Sequence, residues 1–202
     1  AEWGSDVIAE TLRGLGIEYV ALNPGATFRG VHDSLVNYLG NESPSMILCN
    51  HEEIAVAIAH GYGRAAGKPM AAFVHDIVGL LHASMAMFNA YMGREGVLVL
   101  GATGPVDANH RRPWIDWIHT ANVQGNAVRD IVKWDDQPAS VAASVESLIR
   151  AHHLVTTEPK GPVYICFDAD VQEQKLTEPF EMPDFSKFPG PTKFQADSTA
   201  LD

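Results

Sequence analysis

Short, fully apolar segments alternate with helical segments along most of this chain. Strands are predicted at 17–25, 45–49, 70–75, 96–101, 127–132 and 162–167. Helices are predicted at 5–15, 27–38, 51–66, 80–92 and 138–155. Apolar strands separated by helices are typical of a parallel sheet that is covered on both faces, and right-handed crossovers make such a sheet doubly wound. We therefore predict an α/β fold with a doubly wound parallel sheet of about six strands.

The alternation stops after Asp170. The segment that follows is rich in proline and has no apolar periodicity, which is typical of a linker or tail. We therefore predict one domain over 1–171 and a linker or tail over 172–202.

Charge and apolar content exclude several classes of protein. The net charge of −11 argues against a nucleic-acid binder, which usually carries a basic face. Apolar runs stay shorter than the ~18 residues of a membrane span. We expect a cytoplasmic protein with neither nucleic acid nor membrane as partner. The two cysteines, Cys49 and Cys166, are expected to be free buried thiols.

Unusual residues follow the predicted strands. In an open parallel sheet, ligands bind beyond the carboxyl ends of the strands. The segments at these ends are Asn23-Pro24-Gly25, Asn50-His51-Glu52, His75-Asp76 with Gly79, and Gly101 to Gly104. The pattern predicts a binding crevice at this edge of the sheet without identifying its ligand.

Two adjacent acids begin the third predicted helix. With Asn50 as N-cap, Glu53 takes the third helical position, where an acid completes a capping box. Glu52 either favours the helix dipole or does chemistry, because an acid at the mouth of a helix that is apolar almost all round is a candidate for a perturbed pKa. Ala55 stands where an H-E-x-x-H zinc helix needs its second histidine, so that motif is excluded.

The same stretch, NHEEIAVAIAHGYGRAAGKP (50–69), resembles the signature of thiamine-diphosphate-dependent enzymes of the acetolactate synthase and pyruvate decarboxylase superfamily. LNPGATFRGVHDSL (22–35) resembles the first strand, loop and helix of their amino-terminal pyrimidine-binding domain. VKWDDQP (132–138) and GPVYICFDADV (161–171) resemble its end. The resemblance covers about residues 4–171 and implies thiamine diphosphate as cofactor and a 2-oxo acid as substrate, for decarboxylation or carboligation.

The resemblance also implies roles for individual residues. Glu52 matches the catalytic glutamate, whose carboxyl group binds the cofactor's aminopyrimidine ring and drives its shift to the imino tautomer. Pro24, Gly25 and Gly79 match positions near the cofactor. Residues 75–82 read HDIVGLLH where the family usually has S-G-P-G-x-x-N, so only Gly79 keeps the pattern and His82 replaces the usual Asn.

This departure leaves two interpretations of the polar residues in that segment. His75, Asp76 and His82 either shape a different substrate pocket and relay protons, or are structural turn residues. Alignment on Lys133-Trp134 adds His119 as a substrate-side candidate.

One expected part of the family's active site is absent from the sequence. The family holds magnesium and the diphosphate through G-D-G on a separate domain, and no G-D-G occurs here. The resemblance therefore implies no metal ligand in this chain and a homodimer or homotetramer that completes the site. We expect an amino-terminal piece in which 172–202 leads toward a middle domain. A natural small subunit of a two-chain decarboxylase and a non-catalytic α/β binding module remain alternatives.

Overall fold

Six parallel strands form the centre of the molecule. The structure, a computed structural model, describes residues 1–192, 197 and 199, without the side chains of 117 and 119. The strands are β1 (Tyr19–Leu22), β2 (Ser45–Leu48), β3 (Met70–Val74), β4 (Val97–Thr103), β5 (Asp135–Asp136) and β6 (Val163–Asp168). They lie in the order β2-β1-β3-β4-β6-β5, and every described pair is parallel. The predicted six-stranded parallel sheet is confirmed.

Helices precede, connect and follow the strands. They are α1 (Gly4–Gly14), α2 (Arg29–Asp33), α3 (Glu52–Ala66), α4 (Val78–Met92), α5 (Asp116–His119), α6 (Val141–Thr156) and α7 (Ala169–Glu173). Shorter 3₁₀ turns occupy Ala26–Phe28, Gln124–Ala127, Arg129–Ile131 and Phe185–Lys187, and a π-helical turn occupies Ser34–Tyr38. The predicted helix at 27–38 is therefore a succession of three helical types.

The sheet is covered on both faces, as a doubly wound fold requires. On one face, Ile8 and Leu12 of α1 and Leu148 and Ala151 of α6 belong to the same buried cluster as the side chains of β1, β4 and β6. On the other face, α3 and α4 pack on the sheet through a second buried cluster, whose helical members include Ala55, Val56, Ala59, Ala83 and Met87. The alanines among them let the two helices pack closely on the strands.

The predicted strand at 127–132 is wrong. This segment forms two 3₁₀ turns, in which the N–H of Val128 bonds to Gly125 and that of Ile131 bonds to Val128. Arg129 closes the segment by donating to both carboxylate oxygens of Asp135, at 2.8 and 2.6 Å. Val128 and Val132 are both buried although neither belongs to a strand. The strand forms further along, as the two-residue β5.

The segment after residue 171 stays in contact with the sheet domain. Gln172 is buried and donates to the carbonyl of Thr27. Lys175 forms an antiparallel bridge with Trp3. The ring of Phe185 lies where a side chain on Gly14 would lie, 2.2 Å from the position of a Cβ there. Packing therefore continues to the 3₁₀ turn at Phe185–Lys187, and the role of the segment as a linker stays a prediction.

Two further expectations concern membranes and thiols. Within the part of the chain that the structure describes, no helix is long and apolar enough to cross a membrane. The cytoplasmic location stays a prediction. Cys49 and Cys166 are both buried and free, as expected.

The strand order fixes where a ligand can bind. From β1 the chain moves to one side to form β2 and then returns to the other side of β1 to form β3. Helices leaving the neighbouring ends of β1 and β3 therefore lie on opposite faces and leave a crevice between them. The residues that follow β1, β2 and β3 all lie at this switch point.

Candidate active site

Helix α3 begins one residue later than the sequence predicts. His51, with extended backbone, is the N-cap, and its Nδ1 accepts from the N–H of Glu53 at 3.2 Å. The predicted cap at Asn50 is therefore wrong, because the imidazole of His51 reaches the free N–H group that the asparagine was expected to satisfy. Glu52 and Glu53 are the first and second helical residues. Glu53 is exposed and its predicted role in a capping box is also wrong, since it stands one position too early.

Glu52 is the buried acid of the pair. Only 5% of the residue is exposed. The side-chain amide of Asn23, after β1, donates to its Oε1 at 2.9 Å. Nδ1 of His82, on α4, lies 3.4 Å from its Oε2. Residues from β1, α3 and α4 thus meet at one carboxylate, at the switch point of the sheet.

The pKa of Glu52 is perturbed, and the net shift is downward. Burial is the largest single influence and raises the pKa. Hydrogen bonds from Asn23, from the backbone N–H of Glu52 itself and from His82 favour the carboxylate and together outweigh burial. Glu52 is therefore ionised at neutral pH in this chain.

Two glycines allow close packing at Glu52 and at the neighbouring His75. A Cβ on Gly79 would lie 3.0 Å from Cγ of Glu52 and 3.1 Å from Cβ of His75. A Cβ on Gly25 would lie 2.3 Å from the ring of His75. The structure thus places Gly25, His75, Gly79 and Glu52 side by side. Pro24 is exposed beside them, and its contact with a cofactor stays a prediction.

Asp76 points into a buried polar network. It is fully buried, and its two carboxylate oxygens accept from Thr120 at 2.8 Å and Gln124 at 2.7 Å. Gln124 in turn accepts from the hydroxyl of Tyr164 at 2.8 Å. These bonds fit the structural interpretation of Asp76, as a residue that ties the end of β3 to the connection after β4. The side chain of His119 lies outside the described residues, so its substrate-side role stays a prediction.

Some residues around Glu52 and in the polar network of Asp76 were not predicted from the sequence. Asn23 was expected at the crevice but not as the partner of Glu52, and His51 was not expected to cap α3. Gln124 and Tyr164 had no predicted role. The only sequence signal for Asn23 and His51 is their place at strand ends, and Gln124 and Tyr164 lie in segments that were predicted as a connection and an apolar strand.

An exposed apolar stripe begins beside the crevice. A helix that is apolar almost all round is predicted to be buried, and for α3 this is wrong on one side, because Ile54 is 47% exposed and Ala57 and Gly61 are also exposed. Six large apolar residues on α4 are exposed, and all but Tyr91 follow one another at alternating spacings of three and four positions. The five with this spacing are Val78, Leu81, Met85, Phe88 and Met92. Such spacing is typical of a helix face that contacts another helix.

The chain is similar in sequence to acetolactate synthases. Over 176 residues the chain is 28% identical to the acetolactate synthase large subunit of Lactococcus lactis, covering 87% of the chain and 29% of that protein. Over 182 residues it is 26% identical to the acetolactate synthase large subunit of Haemophilus influenzae, covering 90% of the chain and 30% of that protein. The chain thus spans less than a third of the length of these relatives.

The fold has been observed in solved structures. Benzoylformate decarboxylase from Polynucleobacter necessarius superposes with a TM-score of 0.76 at 22% identity, over 91% of this chain and 34% of that one. The sequence profile of the family described as thiamine pyrophosphate enzyme, N-terminal TPP binding domain, matches residues 2–129. The chain therefore belongs to the thiamine pyrophosphate enzymes and carries their N-terminal cofactor-binding domain.

Proposed function

We propose that this chain is the pyrimidine-binding half of a thiamine-diphosphate-dependent enzyme that decarboxylates or ligates 2-oxo acids, and that Glu52 activates the aminopyrimidine ring of the cofactor. The observation that carries the proposal is the place of Glu52. It is a buried carboxylate at the switch point of the sheet, and it occurs in a chain of this family. A non-catalytic binding module would need no such group.

The residues around Glu52 fit the cofactor. A side chain at Gly25 would clash with His75 and one at Gly79 would crowd Glu52, so the two glycines let the walls of the crevice lie close to these residues. Asn23 holds Oε1, which fixes the orientation of the carboxylate. When bound, thiamine diphosphate supplies the carbon nucleophile and the electron sink of the reaction.

Glu52 has to hold a proton for this chemistry. In the chain alone its pKa is lowered, so the carboxylate is ionised. For the pKa to rise toward neutral pH, Oε2 must lose contact with water and with His82, so that burial outweighs the remaining hydrogen bonds. We propose that ligand binding at the crevice has this effect, and that His75 and His82 then face the substrate.

The test is Glu52→Gln in the full-length protein, with Glu53→Gln as the matched control. Glutamine keeps the shape of the side chain but cannot exchange a proton. Exchange of the cofactor's C2 proton, followed by NMR, should fall by roughly 10²–10⁴-fold in Glu52→Gln. The exposed Glu53 should tolerate the change. Undiminished exchange in Glu52→Gln would favour the non-catalytic alternative.

We propose that magnesium and the diphosphate are held elsewhere in the full-length protein. The sequence has no G-D-G, and the chain spans less than a third of its relatives' length. If the chain is instead a natural small subunit, a partner chain must hold the magnesium and the diphosphate. Under either arrangement the crevice described above needs a second protein surface to enclose the cofactor.

We propose that the apolar stripe on α4 packs against a second copy of the protein in a homodimer or homotetramer. The stripe starts at Val78, next to the glycine that contacts Glu52, so a subunit bound there would also close the crevice. Met85→Glu in the full-length protein should shift sedimentation toward the monomer. Val36→Glu, at an apolar residue 39% exposed on another segment, is the control. An unchanged assembly in Met85→Glu would contradict the proposed interface.

A further inference from the structure

Two imidazoles and one carboxylate meet at the mouth of the crevice. One donor atom from each of His51, Glu52 and His82 lies within 4.8 Å of the other two. The rings of His51 and His82 are stacked, with centroids 4.8 Å apart and an angle of 19° between their planes. His51 caps α3 and His82 belongs to α4, so the grouping is produced by the packing of two helices and not by spacing along one of them.

We propose that His51, Glu52 and His82 form a binding site for a divalent transition-metal ion, best fitted by Zn²⁺. Two imidazoles and a carboxylate are a donor set that binds Zn²⁺ with one coordination position left open. Imidazole nitrogen suits zinc, copper and nickel, whereas Mg²⁺ prefers an oxygen-rich site. The site is therefore distinct in chemistry from the magnesium site expected on a separate domain.

Part of the coordination geometry is already present. Around a tetrahedral Zn²⁺ with bonds of about 2.0–2.1 Å, neighbouring ligand atoms lie about 3.3 Å apart. Nδ1 of His82 and Oε2 of Glu52 lie 3.4 Å apart. The side chain of His82 is 51% exposed, so it has room to adjust. Asn23 holds Oε1, which leaves Oε2 as the oxygen for the ion.

Among the three residues, Glu52 supplies the negative charge that attracts a cation. The two histidines must be neutral to bind, and protons will therefore compete with the metal as the pH falls.

Metal binding has a necessary consequence at His51. A neutral imidazole has a single acceptor nitrogen, and Nδ1 of His51 uses it for the N–H of Glu53. If the ion binds Nδ1, that nitrogen is no longer available to the N–H. If the ion binds the other ring nitrogen, Nδ1 carries the proton and cannot accept. Either mode breaks the cap of α3 and exposes the amide of Glu53 to exchange.

The ion and the cofactor would compete, because both require Glu52. This consequence, unlike the metal site itself, rests on the proposed function. Zinc that accumulates in a cell would therefore inhibit the enzyme by occupying Glu52, the group proposed to activate the cofactor.

The test is a calorimetric titration of the 202-residue chain with Zn²⁺ alone. One ion should bind per chain, and His82→Asn should weaken binding by at least about tenfold, since even residues behind the ligands change metal affinity by 10–100-fold. His110→Asn is the matched control, because His110 forms an imidazole–carboxylate pair elsewhere on the surface, 2.8 Å from Asp170. Titration with Mg²⁺ should give the same heat for the wild-type chain and for His82→Asn.

Two results would overturn the metal site: no Zn²⁺ binding, or equal binding by the wild-type chain and a folded His82→Asn variant. Hydrogen exchange of the wild-type chain adds a measurement that needs no variant. Zn²⁺ should accelerate exchange at the amide of Glu53, and unchanged protection at saturating Zn²⁺ would also overturn the site.

A separate measurement tests the link to the cofactor. In the full-length protein, Zn²⁺ should weaken thiamine diphosphate binding in a manner that His82→Asn relieves. If Zn²⁺ occupied the three residues and thiamine diphosphate bound with unchanged affinity, the metal site would stand and the proposed place of the cofactor at Glu52 would be wrong.

Discussion

The side-chain amide of Asn23 donates to Oε1 of Glu52 at 2.9 Å, which links the end of β1 to the first residue of α3. The two residues are 29 positions apart in the sequence. The bond orients a buried carboxylate and stabilises its ionised form. Asn23 is thus a positioning residue for the group that the proposed chemistry requires.

Replacing Asn23 with alanine should raise the pKa of Glu52. Removing a donor to the carboxylate leaves burial, which raises the pKa, less opposed. The ¹³C shift of the Glu52 carboxyl group, followed by NMR against pH, measures the change. Asn109→Ala removes an exposed asparagine–carboxylate bond, to Asp107, and should leave Glu52 unaffected. An unchanged titration of Glu52 in Asn23→Ala would contradict the role of this bond.

The lowered pKa of Glu52 also predicts how stability depends on pH. Because the folded pKa lies below the unfolded one, Glu52 stabilises the fold above its unfolded pKa, and this contribution is lost as the pH falls through the folded pKa. Urea unfolding between pH 7 and pH 3 should therefore show a smaller loss of stability on acidification in Asn23→Ala than in wild type. An identical loss in the two proteins would count against the prediction.

Replacing His51 with alanine should destabilise the chain more than replacing Glu53. His51 satisfies a free N–H at the start of α3, whereas Glu53 is exposed. Loss of an N-cap costs about 0.5–2 kcal/mol in the free energy of unfolding. Glu53→Ala should stay within about 0.5 kcal/mol of wild type, as most surface substitutions do. Urea unfolding of both variants decides this, and a larger loss in Glu53→Ala would favour Asn50 as the cap.

Replacing Lys133 with alanine should also be destabilising. Its ammonium group donates to the carbonyls of Leu154 and Thr157, at 2.6 and 2.7 Å, and so satisfies groups at the end of α6. Burial lowers the pKa of Lys133, and its loss should cost about 1–3 kcal/mol because the carbonyls lose a charged partner. Lys187→Ala, at a side chain 76% exposed, is the control in the same urea experiment. Equal stabilities of the two variants would contradict the prediction.

Cys166 should resist thiol reagents while the chain is folded. Burial raises its pKa to about 12, so at pH 8 roughly one thiol in ten thousand is ionised. Burial also raises the pKa of Cys49. Maleimide labelling followed by peptide mass spectrometry should modify Cys166 only after denaturant is added. Labelling of Cys166 in the folded chain at the rate of the denatured chain would show that it is not buried as described.

Much of the architecture was predictable because it depends on local pattern. Apolar runs such as Met70–Val74 and Val97–Thr103 have no polar face, so they can only lie inside a covered sheet, and their alternation with helices requires parallel pairing. The segment 127–132 shows where this reasoning fails. Buried valines four positions apart fit a strand or a helical turn equally well, and the structure has the turn, with Arg129 paired to Asp135.

The candidate site shows a similar division. Glu52 could be singled out because it stands at a strand end and matches the family's glutamate, but the cap of α3 was predicted at the wrong residue. Asn50 and His51 both have side chains that accept a hydrogen bond from a helix N-terminus. Which of the two residues caps α3 depends on the point at which the chain turns after β2. The neighbouring strands determine that point.

The sequence by itself determined the alternating α/β fold, the family and the identity of the buried acid, because apolar periodicity and a local signature carry that information. Only the tertiary structure decided which groups surround the acid. Asn23 and His82 reach Glu52 from β1 and α4 because strand order brings distant strand ends together, and that order is set by the packing of helices on both faces. The pKa of Glu52 and the donor set for a metal ion both follow from these contacts.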